Sequence, residues 1–84
     1  MFTGIVETIG EIISLQKEQD NLHITLKSDF TNELRIDQSV AHNGVCLTVV
    51  AIEEDLFTVT AIKETLQKTN LGDFQVGDAV NLER

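Results

Sequence analysis

The sequence predicts an all-β fold, a six-stranded antiparallel Greek-key β-barrel with one short helix. Three observations lead there. Val, Ile and Thr supply 25 of the 84 residues, and their branched side chains fit a pleated surface better than a helical turn. Apolar and polar residues alternate with period two in successive stretches separated by polar or glycine-bearing turns. A chain of this length has room for one small core, and so small a sheet protects its edges best by closing. An open meander of the same strands is the alternative arrangement.

The elements follow in chain order. Ile5 to Leu15 reads as a long strand, with Gly10 at a bend or bulge. Gln16 to Asn21 is polar and reads as the turn. Leu22, Ile24 and Leu26 alternate with His23, Thr25 and Lys27, as a half-buried strand requires. Ser28 to Gln38 is a long connection in which Phe30, Leu34 and Ile36 tuck under the sheet. Ser39 to His42 is a short strand, and Asn43-Gly44 is a favoured hairpin turn. Cys46 to Ile52 and Leu56 to Ala61 form a hairpin about Glu53-Glu54-Asp55. Lys63 to Lys68 changes to helix formers, with Asn70 or Gly72 available to end the segment. Val76-Gly77-Asp78 turns into a final strand from Ala79 to Leu82. Proline is absent, so it excludes no strand. No stretch of the sequence repeats another.

Composition excludes several classes of function. Hydrophobic residues make up 42% and are spread along the chain, which argues against disorder. No apolar run is long enough for a membrane-spanning helix, and Met1-Phe2-Thr3-Gly4 lacks the basic and apolar regions of a secretory signal. Fourteen acidic and six basic residues give a net charge of -8. The cations are scattered singly, so neither nucleic acid nor an anionic membrane finds a basic footprint. The single cysteine, Cys46, cannot form an internal disulfide, so a reducing cytoplasm is the expected location. His23 and His42 stand apart and match no zinc spacing.

Two stretches carry groups suited to chemistry. Ser39 to Val49 holds hydroxyls, an imidazole, an amide and a thiol. Cys46 and Thr48 alternate on one strand and share a face, which Ser39 on a neighbouring strand can join. Hydroxyls in such a row suit a polyol, because each donates one hydrogen bond and accepts others. The other reading makes Cys46 a small buried hydrophobe and leaves the hydroxyls to the backbone. His42 lies four residues from Cys46, but no orienting acid accompanies a nucleophile pair. It reads as a turn residue that caps or faces solvent, and His23 as a surface residue. The second stretch runs from Thr60 to Leu66, where a strand passes into a helix. Free backbone N–H groups there can meet a carbonyl-bearing ligand edge, or they are simply capped. The acidic run Glu53-Glu54-Asp55 reads as a solvated turn.

The specific residues resemble those of the riboflavin synthase family. The resemblance rests on Met1-Phe2-Thr3-Gly4-Ile5-Val6-Glu7, on Ser39 to Val49, on Lys63-Glu64-Thr65-Leu66 with Thr69-Asn70-Leu71-Gly72, and on Val76 to Arg84. It covers the chain from end to end but only the first half of that family's protein, which has two barrels in tandem and a trimerising C-terminal helix. It implies that residues 1–84 form one lumazine-binding barrel domain, either excised or a natural single-barrel homologue. The implied reaction is the dismutation of two 6,7-dimethyl-8-ribityllumazine molecules to riboflavin and a ribitylamino-pyrimidine, with no metal or cofactor.

The resemblance also implies the site. Phe2, Ser39 and Cys46 become the catalytic candidates. Thr3, Gly4, Ile5 and Val6 come to lie beside the pteridine ring. Cys46, Leu47 and Thr48 form a wall, with Ser39 near the ribityl chain, and Thr60, Ala61, Ile62 and Thr65 hold the pyrimidine edge, largely through backbone groups. Groups that the family's second barrel contributes have no counterpart here, so the chain alone is expected to bind ligand with little or no turnover. A lumazine or flavin carrier is the alternative function. A homodimer is expected of the isolated barrel, and a homotrimer of the full-length enzyme.

Overall fold

The computed structural model describes residues 5–84. Six strands run as β1 (Thr8–Glu18), β2 (Asn21–Lys27), β3 (Ser39–His42), β4 (Val45–Glu53), β5 (Leu56–Ala61) and β6 (Ala79–Glu83), with one helix, α1 (Lys63–Lys68), between the last two. All neighbours are antiparallel, and the order β1-β2-β5-β4-β3-β6 closes on itself. Three hairpin strands, β3, β4 and β5, lie beside β2, which reaches β3 through a long connection. This is the Greek key that the sequence predicts, and closure excludes the open meander. No helix among the described residues is long and apolar enough to cross a membrane.

Alternation builds the core. Phe57, Val59 and Ala61 of β5 point inward against Ile24 and Leu26 of β2, Leu47 and Val49 of β4, and Val40 of β3. Their alternating partners Thr58 and Thr60 point outward. Asn43-Gly44, with φ of 50° and 86°, makes the two-residue turn with both residues left-handed, which matches the twist of the flanking strands. The β1–β2 turn is shorter than expected. Strand pairing persists to Glu18↔Asn21, because a left-handed Gln19 (φ 54°) reverses the chain within two residues.

Of the bend or bulge expected at Gly10, the bulge is not there. The register shift in β1 falls between Ile12 and Ser14. Gly10 instead lets Leu82 of β6 approach, since a Cβ there would lie 2.7 Å from Leu82 Cδ1.

The structure also corrects the absence of an internal repeat. Val49 bonds through its N–H to Gln38 O (2.9 Å) and through its carbonyl to Asp37 N (2.8 Å). Ile12 does the same with Asp78 O (3.0 Å) and Gly77 N (2.8 Å). Asp37 and Gly77 share a positive φ, 74° and 96°, and each anchor residue begins a register shift in its long strand. The pair Ser39↔Thr48 thus corresponds to Ala79↔Glu11, and Ala41↔Cys46 to Asn81↔Ile9. The two halves repeat in backbone hydrogen bonds rather than in residue identity, which is why the sequence conceals the relation.

Candidate functional site

The outward residues of β3, β4, β5 and β2 form one polar row across the strands. Ser39 pairs with Thr48, and His23 pairs with Thr60. Between them, the register set by Val49↔Val59, carried one residue further, brings Thr48 and Thr60 to facing positions. Val49 and Val59 are fully buried, so their neighbours Thr48 and Thr60 face out. Cys46 stands on the same outer side of β4 and is exposed. The structure therefore rejects the reading of Cys46 as a buried hydrophobe and supports the shared hydroxyl–thiol face. Its floor is firm, because Val40, Leu47, Val59 and Ala61 fill the barrel directly beneath it.

The remaining predicted residues divide by location. Leu47 and Ala61 point into the core, so only their backbone is available outside. Ile62 is exposed at the start of α1, where its extended backbone leads into the helix. Thr65 lies half-buried on α1, and its carbonyl accepts a 2.8 Å bond from Thr69 Oγ1. Ile5 and Val6 are exposed, at 69% and 48%. Val6 lines a cleft of about 280 Å³ with Ala41, Asn43 and Gly44, and Ala41 is the cross-strand neighbour of Cys46. The strand expected from Ile5 begins only at Thr8. Phe2, Thr3 and Gly4 lie outside the described residues.

Arg84 anchors this entry segment. Its Nη2 donates to Glu7 Oε2 and its Nη1 to Glu33 Oε1, both at 2.9 Å, and its guanidinium lies 4.8 Å from the centre of the Phe30 ring. The Arg84 hydrogen bonds hold the Glu7 carboxyl below the usual carboxylate range and push the guanidinium up. Glu7 N also bonds Leu82 O at 2.9 Å, so the backbone is pinned to β6 immediately after Val6.

Both histidines differ from their expected roles. His42 is fully buried, not a solvated turn residue. It is the last residue of β3, its Nδ1 donates to Val40 O at 2.9 Å, and its ring lies 5.8 Å from that of Phe57. Burial pulls its pKa down to about 4, and its Nε2 has no partner. It faces the core, away from Cys46, so the two do not form a nucleophile pair. His23 is half-buried rather than a free surface residue: its Nδ1 meets Thr60 Oγ1 at 2.8 Å and its Nε2 meets Glu18 Oε1 at 2.9 Å. Sequence reasoning missed this contact because it depends on the β2–β5 register.

The internal repeat offers a second face with the same backbone frame, over a cavity of about 430 Å³ that includes Ile9, Gly10, Glu11 and Ala79. There Ile9 replaces Cys46, Glu11 replaces Thr48 and Ala79 replaces Ser39. The hydroxyl row exists on one face only, so side chains rather than fold distinguish the candidate site. Among the described residues no three His, Cys, Asp or Glu side chains are placed to hold a metal.

Known proteins resemble this chain in sequence and in fold. The family described as lumazine binding domain matches residues 3–84. Riboflavin synthase of Escherichia coli (strain K12) is 44% identical over 86 residues, and that of Bacillus subtilis (strain 168) is 41% identical over 85. Each match takes in the whole of this chain but only 40% of the relative. Among solved structures, LumP complexed with 6,7-dimethyl-8-(1'-D-ribityl) lumazine superposes with a TM-score of 0.91 at 29% identity, covering 99% of this chain and 48% of that one. LumP complexed with riboflavin gives 0.91 at 30% identity, covering 99% and 46%. A closed six-stranded barrel, a hydroxyl–thiol row on its outer face and a match over residues 3–84 lead to one conclusion: the chain belongs to the lumazine-binding domain family.

Proposed function

We propose that this chain binds one ribityl-bearing ring system, 6,7-dimethyl-8-ribityllumazine or riboflavin, as the N-terminal barrel of a riboflavin synthase. The observation that carries the reading is the outward row Ser39, Thr48 and Thr60 with Cys46 beside it. The Ser39 and Thr48 hydroxyls can each donate once and accept more than once, which suits the alternating demands of a polyol chain. The exposed Ile62 and Val6 supply apolar surface for a flat ring, and backbone at residues 60–62 supplies groups for its imide edge.

The reaction proposed for the full-length protein moves a four-carbon unit from one lumazine to a second. The products are riboflavin and 5-amino-6-ribitylamino-pyrimidinedione. Donor and acceptor are the same compound, so the exchange needs no external oxidant and no cofactor. What the protein supplies is the alignment of two rings, and alignment is a large part of bimolecular catalysis. Ser39 and Cys46 are the candidate catalytic groups of this barrel, together with Phe2.

The face is open, so a second substrate has to be presented by another barrel. The isolated chain should accordingly bind ligand yet turn over slowly or not at all. It should pair with a copy of itself in the cytoplasm, whereas the full-length enzyme forms a trimer. A carrier role is the second reading, favoured by the likeness to LumP. The higher identity to riboflavin synthases supports the first.

Titration calorimetry with riboflavin tests binding, with one ligand per barrel expected. No heat at high ligand concentration would remove the proposal. Adding the lumazine to a full-length protein that contains this barrel separates the two roles, since only a synthase produces riboflavin.

A further inference from the structure

On the outer wall, β2 and β5 are joined by two successive side-chain pairs, His23 with Thr60 and Thr25 with Thr58. They differ in a way that matters for a ligand. Thr25 Oγ1 and Thr58 Oγ1 lie 2.9 Å apart, and either can donate, so neither hydroxyl has a fixed direction. His23 is held from both sides, by Glu18 Oε1 at 2.9 Å and Thr60 Oγ1 at 2.8 Å. A carboxylate only accepts, so Nε2 carries the imidazole proton. In the neutral ring Nδ1 then only accepts. With the ring neutral, Thr60 donates its hydroxyl proton to His23 and keeps only its lone pairs for anything else.

Those lone pairs lie on the ligand face proposed above, across from Thr48. We propose that Glu18 and His23 act as positioning residues that make Thr60 an oriented acceptor, one that selects a ligand presenting an N–H or O–H at this point and disfavours a carbonyl there. The inference rests on the proposed ligand site and adds the direction of one hydrogen bond within it. Flavins carry both kinds of donor, a ring imide N–H and the ribityl hydroxyls, and analogues lacking one or the other tell them apart.

The test is a fluorescence titration of the whole chain with riboflavin, with 3-methylriboflavin, in which the imide N–H is capped, and with lumiflavin, which has no polyol. Wild type should prefer riboflavin over both analogues. For one analogue, Thr60→Val should shrink that preference by about 3–10-fold, the worth of one neutral hydrogen bond. The analogue affected names the donor. His23→Leu should shrink the same preference by a similar factor, because the released Thr60 hydroxyl can rotate and donate. The double variant should lose no more than either single one, as expected for residues acting as one unit.

His23→Asn places an amide oxygen near the position of Nδ1 and should recover the preference. It also guards against a fold defect in the leucine variant. A purely structural role would change all affinities together and leave the ratios alone. Unchanged ratios in His23→Leu, additive losses in the double variant, or no recovery with His23→Asn would each overturn the inference. Failure of wild type to bind any of the three flavins would instead remove the ligand site itself.

Discussion

Acid should weaken this barrel through His42. In the folded protein its imidazole is buried, its Nδ1 proton is given to Val40 O, and its pKa is lowered from 6.5 to about 4 by burial. In the unfolded chain it titrates near 6.5. The folded state therefore binds fewer protons between these values, so its stability is greatest above pH 6.5 and falls as pH drops towards 4. A difference of that size corresponds to about 3 kcal/mol once pH is below 4, and to about 1 kcal/mol at pH 5.5, at 1.36 kcal/mol per unit. That is a large share of the stability expected for a domain this small.

The perturbation is His42→Leu, which keeps an apolar side chain against Phe57 and removes both the titrating ring and its unpartnered Nε2. Urea unfolding at pH 7.5, 6.5, 5.5 and 5.0 gives the free energy for each protein. Carboxylates elsewhere titrate in both, so the difference between the curves isolates His42. Wild type should lose about 1 kcal/mol more than His42→Leu between pH 7.5 and 5.5. A difference that stays constant across this range would refute the argument.

Other outcomes follow from the same structure. Gly10→Ala should destabilise by about 1–3 kcal/mol through overpacking, because its Cβ would meet the buried Leu82 at 2.7 Å. Gly72→Ala has open space and should stay within about 0.5 kcal/mol of wild type, so paired melting curves check both. Thr48→Val should weaken riboflavin binding by about 0.5–1.5 kcal/mol, the worth of a neutral hydrogen bond, as read by calorimetry, and unchanged affinity would make Thr48 structural. Sedimentation at micromolar concentration should show a dimer, and a 9.3 kDa species would refute it.

The outer location of Cys46 and Thr48 was legible in the sequence, since alternation sets which residues share a face of a strand. So was the Asn43-Gly44 reversal, because only residues tolerant of positive φ make that turn cheaply. Short-range physics acts within a few residues, and local pattern is enough to record it. The strand order, the contact of His23 with Thr60 across 37 residues and the burial of His42 are different in kind. Each depends on which strands meet and in what register, and only closure of the barrel settles that. The internal repeat makes the same point from the other side. Tertiary structure builds two equivalent faces from unlike sequences, and the identities of Ser39, Cys46 and Thr48 against Ala79, Ile9 and Glu11 determine which one carries the hydroxyl row. Sequence chose the chemistry and the local turns. The closed sheet, by bringing distant strands into register, decided which of those groups could act together.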